Sequence, residues 1–484
     1  GPVSPDELYV EHIFPDQVFE GQGSAAIAAD EPLVRALPMV LFGQNMTPDT
    51  RITVSGEGIA TQDVDAEVSQ DGRWAAFALR LPVIEDGRAA TDVDLVVDLV
   101  KEDETPRKRA VHHLLEEIVG DQDGTLDTDR LATDDAGIAR YSRIELNGSI
   151  AAVGSMPLRL VGYAGISVSG ILSASGNGSA PGAGGCAGGE PNTDASCGEG
   201  SGRLGGNGVL GLLRAGGGGG GAFGANDAGE GGGPPEKRGA PGAATGVPSL
   251  VPMPPATGSV RGAGGGGGGK PPDVAGHGGS GGGSGGAVEI TTPAVLDLSG
   301  FVSADGADGG TCDLGGGGGG GSGGAVLLRA GAGARIPPGN ARVAARGGDG
   351  GACSESPGGQ GGSGLIRVDL PDPFAAGGAD PEAVFIGPAF ITSAVPVVTT
   401  DPVLQVTIRG KPGSSYVLER TSPDGEGEDR PSTQPVSTPE PEGIGEEEVQ
   451  LREGLNQLCV EVANEDPDLY PEAANCITVA YIRR

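Results

Sequence analysis

Three stretches decide how this chain reads: GGSGGAVEI (282–290), GGSGGAVLL (320–328) and a degraded copy, GGSGLIRV (361–368). Aligned on Ser284, Ser322 and Ser363, they lie 38 and 41 residues apart. Each joins a glycine-rich half to an apolar half. The first two continue into short alternating segments, LDLSGFVSADG (296–306) and ARVAARGGDG (341–350). An earlier stretch, LRLVGYAGISVSGILSASGNG (158–178), has the same texture, with Ile166, Val168, Ile171 and Ala174 spaced by Ser and Gly. Short β segments recurring once per unit, each too small to bury a core alone, predict a stacked β-solenoid.

The glycines follow the repeats. Of 95, 74 fall in 141–370, 11 in 1–140 and 10 in 371–484, and without a strict Gly-X-Y period collagen is excluded. Three long runs stand out: Gly216–Gly221, Gly264–Gly269 and Gly315–Gly321. Glycine loses more conformational freedom on folding than any other residue. Such a run is therefore either a flexible Gly/Ser linker or part of a structure that demands bare backbone. A polyproline-II-like helix has three residues per turn and no internal hydrogen bonds. Several such helices built from glycine can satisfy one another's N–H and C=O groups at close approach. The runs abut apolar segments at repeated positions, which favours ordered polyglycine helices projecting from the solenoid.

The two ends read as ordinary all-β. In VDLVVDLV (93–100) Val93, Leu95, Val97 and Leu99 alternate with acids; in AAFALRLPV (75–83) Ala75, Phe77, Leu79 and Leu81 share a face. Leu404, Val406 and Ile408, then Leu458, Val460 and Val462, then Ile477, Val479 and Tyr481 do the same near the C-terminus. Short strands between Gly and Asp turns suggest sandwiches. The expected organisation is 3–112 β-sandwich, 113–140 acidic linker or turn, 141–370 Gly-rich repeat region with a long insertion at 179–281, 371–385 linker, and 386–484 a second sandwich.

The net charge of −34 is carried by the ends: −18 over 1–140 and −13 over 371–484, against −3 over 141–370. Such a chain repels nucleic acid and anionic lipid. No stretch is long and apolar enough for a membrane helix. The six cysteines, Cys186, Cys197, Cys312, Cys353, Cys459 and Cys476, include no CxxC pair, which favours disulfides and an oxidising compartment over six buried thiols. Gly1-Pro2 reads as a protease-cleavage scar. No signal peptide is visible, and the expected location is extracellular or cell-surface with the signal removed.

Cys312 in DGGTC and Cys353 in DGGAC occupy matching repeat positions, 41 residues apart. Adjacent coils of a parallel sheet lie ~4.8 Å apart, within the ~4.4–6.8 Å Cα range of a disulfide. A Cys312–Cys353 bridge and a local Cys186–Cys197 bridge are expected, with Cys186–Cys312 the rival. Cys459 and Cys476 lie opposite the core residues of their strands and can pair across one hairpin.

Candidate chemistry is sparse. GDQDGTLDTD (120–129) offers oxygen ligands from Asp121, Asp123, Asp127 and Asp129 around Gly124, and calcium is the cation such a set suits. It is not an EF-hand, since Val119 and Arg130 stand at the first and last ligand positions. The alternative is an acidic interdomain turn. Asp305, Asp308 and Asp349 are scattered singly, and Asp308 and Asp349 recur at equivalent positions, which suits turns better than an acid/base pair. The repeat region holds four aromatics, Tyr141, Tyr163, Phe223 and Phe301. The histidines, His12, His112, His113 and His277, show no ligand spacing, and the glycine runs lack the Lys-Ser/Thr of a phosphate-binding loop.

The repeat texture resembles glycine-rich bacterial surface proteins with a right-handed parallel β-helix of pectin-lyase-like architecture. VLFGQNMTPDTRITVSGEGI (40–59) resembles the opening of TIG/IPT immunoglobulin-like domains. REGLNQLCVEVANED…ANCITVAYI resembles the last strands of a bacterial Ig-like domain, with a Glu-Gly-x-Asn turn at Glu453–Asn456. These resemblances imply a non-enzymatic structural or adhesive surface protein without a required cofactor. A cell-surface glycan, a protein or another copy of the chain would be its partner. The rivals are a carbohydrate-active β-helix enzyme and an ice- or glycan-binding protein with a flat polyglycine face.

Overall fold

The computed structural model describes residues 7–484 other than 24, 29–30, 83–88, 102–104, 121–122, 135–136, 196–214, 224–226, 243–261, 271–276, 313–314, 332, 338–341, 355, 371–377, 382–389, 392–394, 411–412, 423–431, 440–442 and 463–475. It is almost entirely β.

Residues 9–114 form two sheets. One orders Tyr9–Phe14, Glu31–Gln44, Trp74–Pro82 and Glu67–Val68, with Ala25–Ala28 alongside; the other orders Gln17–Phe19, Arg107–Leu114, Thr91–Val100, Arg51–Gly56 and Ile59–Val64. Alternation sends Phe77, Leu79 and Leu81 from the first and Leu95, Val97 and Leu99 from the second into one core, all fully buried. Val93, expected with them, is only half-buried at the strand's start.

Two further sheets lie near the C-terminus, Phe390–Ile391, Val403–Arg409 and Ile444–Gln450, and Val398–Thr399, Cys476–Tyr481, Gly454–Val462, Ser414–Thr421 and Ser432–Thr438. Leu404, Val406, Ile408, Leu458, Val460 and Val479 share their core. Gly454 takes φ 104°, and the buried Asn456 amide donates to the Arg452 carbonyl at 2.7 Å. Cys459 and Cys476 face each other in register and are bridged, Cα to Cα 4.2 Å. The chain's two ends also meet: Val40, Phe42, Trp74 and Ala76 pack on Leu455, Ala480 and Ile482, and Gln70 N–H donates to the Arg483 carbonyl at 3.0 Å.

Between them the described residues make five circuits, each giving one strand to each of three parallel sheets, and a last strand adds to the second sheet. Sheet I stacks Ile118–Gly120, Ile144–Leu146, Ile166–Val168, Leu296–Leu298 and Ala334–Arg335. Sheet II stacks Gly124–Asp127, Ser149–Val153, Ile171–Ser173, Phe301–Ser303, Val343–Ala344 and Ala379–Asp380. Sheet III stacks Ala139–Tyr141, Leu158–Gly162, Ala287–Thr292, Ala325–Ala330 and Leu365–Asp369. Inward residues from all three, such as Ile144, Leu172, Ile290, Leu298 and Val326, form one buried cluster.

Two expectations are corrected here. The stretch 113–140 is not an acidic linker. Its described acids are exposed or half-buried, while Ile118 and Leu126 pack on the central core and Ala139 and Tyr141 enter it, completing the first circuit. Likewise Ala379–Asp380, inside the expected 371–385 linker, pairs with Val343–Ala344.

Circuits three to five each leave sheet II through a buried alanine (Ala174, Ala304, Ala345) and return to sheet III after a glycine. The glycine runs lie in these excursions and, Gly315 apart, are buried. Hydrogen bonds from one run to a given neighbour recur every third residue. Gly316, Gly319 and Ser322 N–H donate to the carbonyls of Gly269, Gly266 and Ala263, a descending order that makes these segments antiparallel. Gly317, Gly320 and Gly323 donate to Ser356, Gly359 and Gly362, and Gly318, Gly321 and Gly324 to Gly310, Ala307 and Ala304. The carbonyls of Gly316 and Gly319 accept from Gly279 and Gly282, those of Gly317 and Gly320 from Gly218 and Gly221, and those of Gly318 and Gly321 from Gly351 and Gly348. The run Gly316–Gly321 is thus bonded to six surrounding segments, and each of its backbone donors and acceptors is used. A Cβ at Gly316, Gly318 or Gly319 would fall on the carbonyl oxygen of Gly216, Ser280 or Gly219. Bare backbone is a steric requirement there.

The repeat serines close this array. Ser284 Oγ accepts the Cys186 N–H at 2.8 Å, and Ser322 Oγ accepts the Ala263 N–H at 2.7 Å, both side chains fully buried. Ser363, in the degraded copy, binds Asp227 instead, through its N–H at 2.9 Å and Oγ at 2.8 Å.

Candidate functional site

The stacking register turns single residues into columns. On sheet II, Leu172, Val302 and Val343 point inward, so their neighbours point out: Ser149, Ile171 and Phe301 align in one column, and Ala151, Ser173, Ser303 and Ala344 in the next. Ile171 therefore lies at the surface, 42% exposed. The inward alternation set by Ile166 and Val168 carries in phase through the corner at Gly170 to Leu172 and Ala174.

This face holds Val153, Ile171 and Phe301, three of the seven large apolar side chains exposed among the described residues. Of the repeat region's four aromatics, Tyr141, Tyr163 and Phe223 are buried and only Phe301 is presented outward, 40% exposed. The Arg342 guanidinium lies over its ring, 4.9 Å from the centroid. Beside this column the hydroxyls are fixed: Ser303 Oγ donates to Ser173 Oγ at 3.0 Å, Ser175 Oγ donates to Ser303 Oγ at 3.1 Å, and Asp305 N–H donates to Ser175 Oγ at 3.0 Å.

The face runs on into the outermost excursion segments, where ADGADGG (304–310) places an acid at every third residue. Asp305 Oδ1 accepts the Arg346 N–H and Asp308 Oδ1 accepts the Asp349 N–H, each at 2.7 Å and across 41 residues, one circuit on. These aspartates brace turns, as their recurrence implied. Burial holds the Asp305 carboxyl above the usual carboxylate range, against the lowering effects of the Arg346 N–H and charge. Arg346 Nε donates to Asp380 Oδ2 at 2.6 Å.

The Asp-rich loop does not assemble a metal centre from its described members. Asp123 Oδ1 accepts the Ser149 N–H at 2.8 Å, and Asp129 accepts the Ser155 N–H at 3.0 Å and its hydroxyl at 2.6 Å, both 26 residues ahead. Asp127 accepts the Asp129 N–H at 3.1 Å and pairs with Arg130 at 3.1 Å. Asp123 and Asp129 brace the next circuit and Asp127 is engaged locally, and among the described residues no group of three His, Cys, Asp or Glu side chains could hold a metal. Asp121 lies outside the described residues.

Cys312–Cys353 bridges successive circuits, Cα to Cα 5.7 Å. Cys186 is disulfide-bonded too; with Cys312 taken by Cys353, the rival Cys186–Cys312 pairing is ruled out, while Cys197 lies outside the described residues. His112 is buried on the strand Arg107–Leu114, and His113 Nδ1 lies 2.7 Å from Asp92.

The one strongly charged cluster that sequence reasoning missed lies on the outward side of sheet III. Arg159 meets Glu289 at 2.7 Å with both side chains 3% exposed, and Asp369 lies 3.0 Å from Arg329 and 2.9 Å from Arg367. Phe223 from the long excursion packs beside it on Ala287, Ala325 and Leu327. The signal was available: single charges inside largely apolar strands, Arg159 second, Glu289 and Arg367 third, and Arg329 fifth in theirs. That the face is covered was not.

An open cleft of about 490 Å³ between Ile59–Val64 and Trp74–Pro82 is lined by Ala36, Gln62, Asp63, Val64, Asp65, Ala78 and Arg80, with no aromatic and no histidine. No helix among the described residues is long and apolar enough to cross a membrane. Comparison with family models, with curated proteins and with solved structures returns no match, so no family is assigned to this chain.

Proposed function

We propose that this chain is a non-enzymatic extracellular or cell-surface scaffold. In this reading the three parallel sheets are the sides of a β-solenoid. The excursions are a polyglycine-II bundle fused to it, and the end units are Ig-like sandwiches. The observation that carries the reading is the hydrogen-bond array of Gly316–Gly321, in which backbone alone meets backbone. Such an interior offers no side chain for chemistry and no freedom for conformational change. What it supplies is rigidity, holding sheet II as a fixed outward surface. The circuit-spanning Cys312–Cys353 bridge and a net charge of −34 suit an oxidising exterior.

Hydrogen exchange on the intact chain tests it. Amides of Gly316–Gly321 are expected to be protected to the same degree as those of Ala325–Ala330, since both are buried and paired. Exchange at the rate of an open Gly/Ser linker would sink the reading.

A further inference from the structure

We infer that the outward face of sheet II binds an uncharged polysaccharide, its chain running across the strands along the stacking direction. The inference rests on the scaffold reading for the rigidity of that face. Phe301 and Ile171 are register partners on adjacent circuits and form an apolar strip. Sugar rings present apolar C–H faces that stack on such a platform, and Arg342 restrains the ring from one side. The Ser173–Ser303–Ser175 column beside it is held by its own hydrogen bonds. Its hydroxyls meet a ligand pre-positioned, at low ordering cost. Circuits repeat at ~4.8 Å, comparable to one pyranose residue of an extended chain.

Charge selects the occupant. Asp305 adjoins the hydroxyl column through Ser175, with Asp308 further along the same excursion, and these acids disfavour an anionic polymer. The nearby cations are engaged, Arg346 with Asp380 and Arg342 with Phe301. A second copy would bring the same acids against themselves. A neutral polyhydroxyl chain suffers neither repulsion, and its O–H groups can donate to these carboxylates.

The test uses the intact chain with insoluble cellulose, chitin and β-1,3-glucan as neutral probes and polygalacturonate as the anionic one. Phe301→Ala and Phe301→Trp are compared with the native chain. Binding to at least one neutral polymer is expected, weakened roughly tenfold by Phe301→Ala, the loss of about one ring contact, and kept by Phe301→Trp. Phe301 points away from the core, so both variants should keep the native exchange protection of Gly316–Gly321. That readout separates a failed glycan site from a failed scaffold. The inference is overturned if the native chain binds none of the neutral polymers, if Phe301→Ala binds as well as native, or if polygalacturonate is preferred. It is equally overturned if sedimentation shows a dimer that Phe301→Ala dissolves.

Discussion

Replacing Gly319 by Ala separates an ordered bundle from a linker by the sign of the effect. In a linker, Gly→Ala stabilises by about 0.4–1 kcal/mol because the unfolded chain has less freedom to lose. In the bundle the new methyl would fall on the Gly219 carbonyl oxygen. Backbone cannot rotate away as a side chain can, so the two segments must part, at an overpacking cost of about 1–3 kcal/mol. Gly319 also donates to Gly266 and accepts from Gly282, each at 2.8 Å. Weakening two such bonds adds about 1–2 kcal/mol. Less the unfolded-state gain, Gly319→Ala should destabilise by roughly 2–4 kcal/mol. For a unit of this size that lowers the calorimetric transition of the parallel-sheet region by roughly 4–16 °C. Gly178→Ala is the control: φ is +57° with nothing within contact of the added methyl, so only left-handed strain of about 1–2 kcal/mol applies. A Gly319→Ala chain that melts at or above the native temperature would refute the packing argument.

Other expectations follow from the same geometry. Glu289→Leu strands Arg159 in a buried site and should cost about 3–5 kcal/mol, whereas Arg159→Met with Glu289→Leu should recover most of it; equal losses in denaturant melts of the single and double variants would show the pair is not the cause. Asp305 has its native pKa raised by burial, so the native state holds its proton more firmly than the unfolded chain. Stability from this group is full below the ordinary Asp value of about 3.9 and falls as pH rises through the higher native value. Asp305→Asn, which keeps an acceptor for the Arg346 N–H, should remove that decline; melting curves from pH 3 to 7 that run parallel for both chains would exclude it.

Much was legible along the chain because it is local. The Ser284, Ser322 and Ser363 spacing announces one structural unit per repeat, and the alternation in 75–81 and 95–99 marks half-buried strands. Matched positions of Cys312 and Cys353 announce their bridge, since stacking places equivalent residues one strand apart. In 120–129 charge leaves the role open: an aspartate bracing the next circuit's N–H, as Asp123 and Asp129 do, looks in sequence like one facing solvent or a cation. Ile171 shares the texture of Ile166 and Val168, yet the same period of two that sends those inward sends Leu172 inward and Ile171 out.

The sequence by itself determined that residues 316–321 are either a free linker or packed where a side chain would not fit. Which of the two holds is a tertiary matter. The partners of Gly319 lie at Gly266 and Gly282 and its steric limit at Gly219, all outside its own run and brought alongside only when the circuits stack. The glycan-sized strip on sheet II arises in the same way, because Ile171 and Phe301 become neighbours through strand register across a long excursion, and register is set by the shared core beneath them.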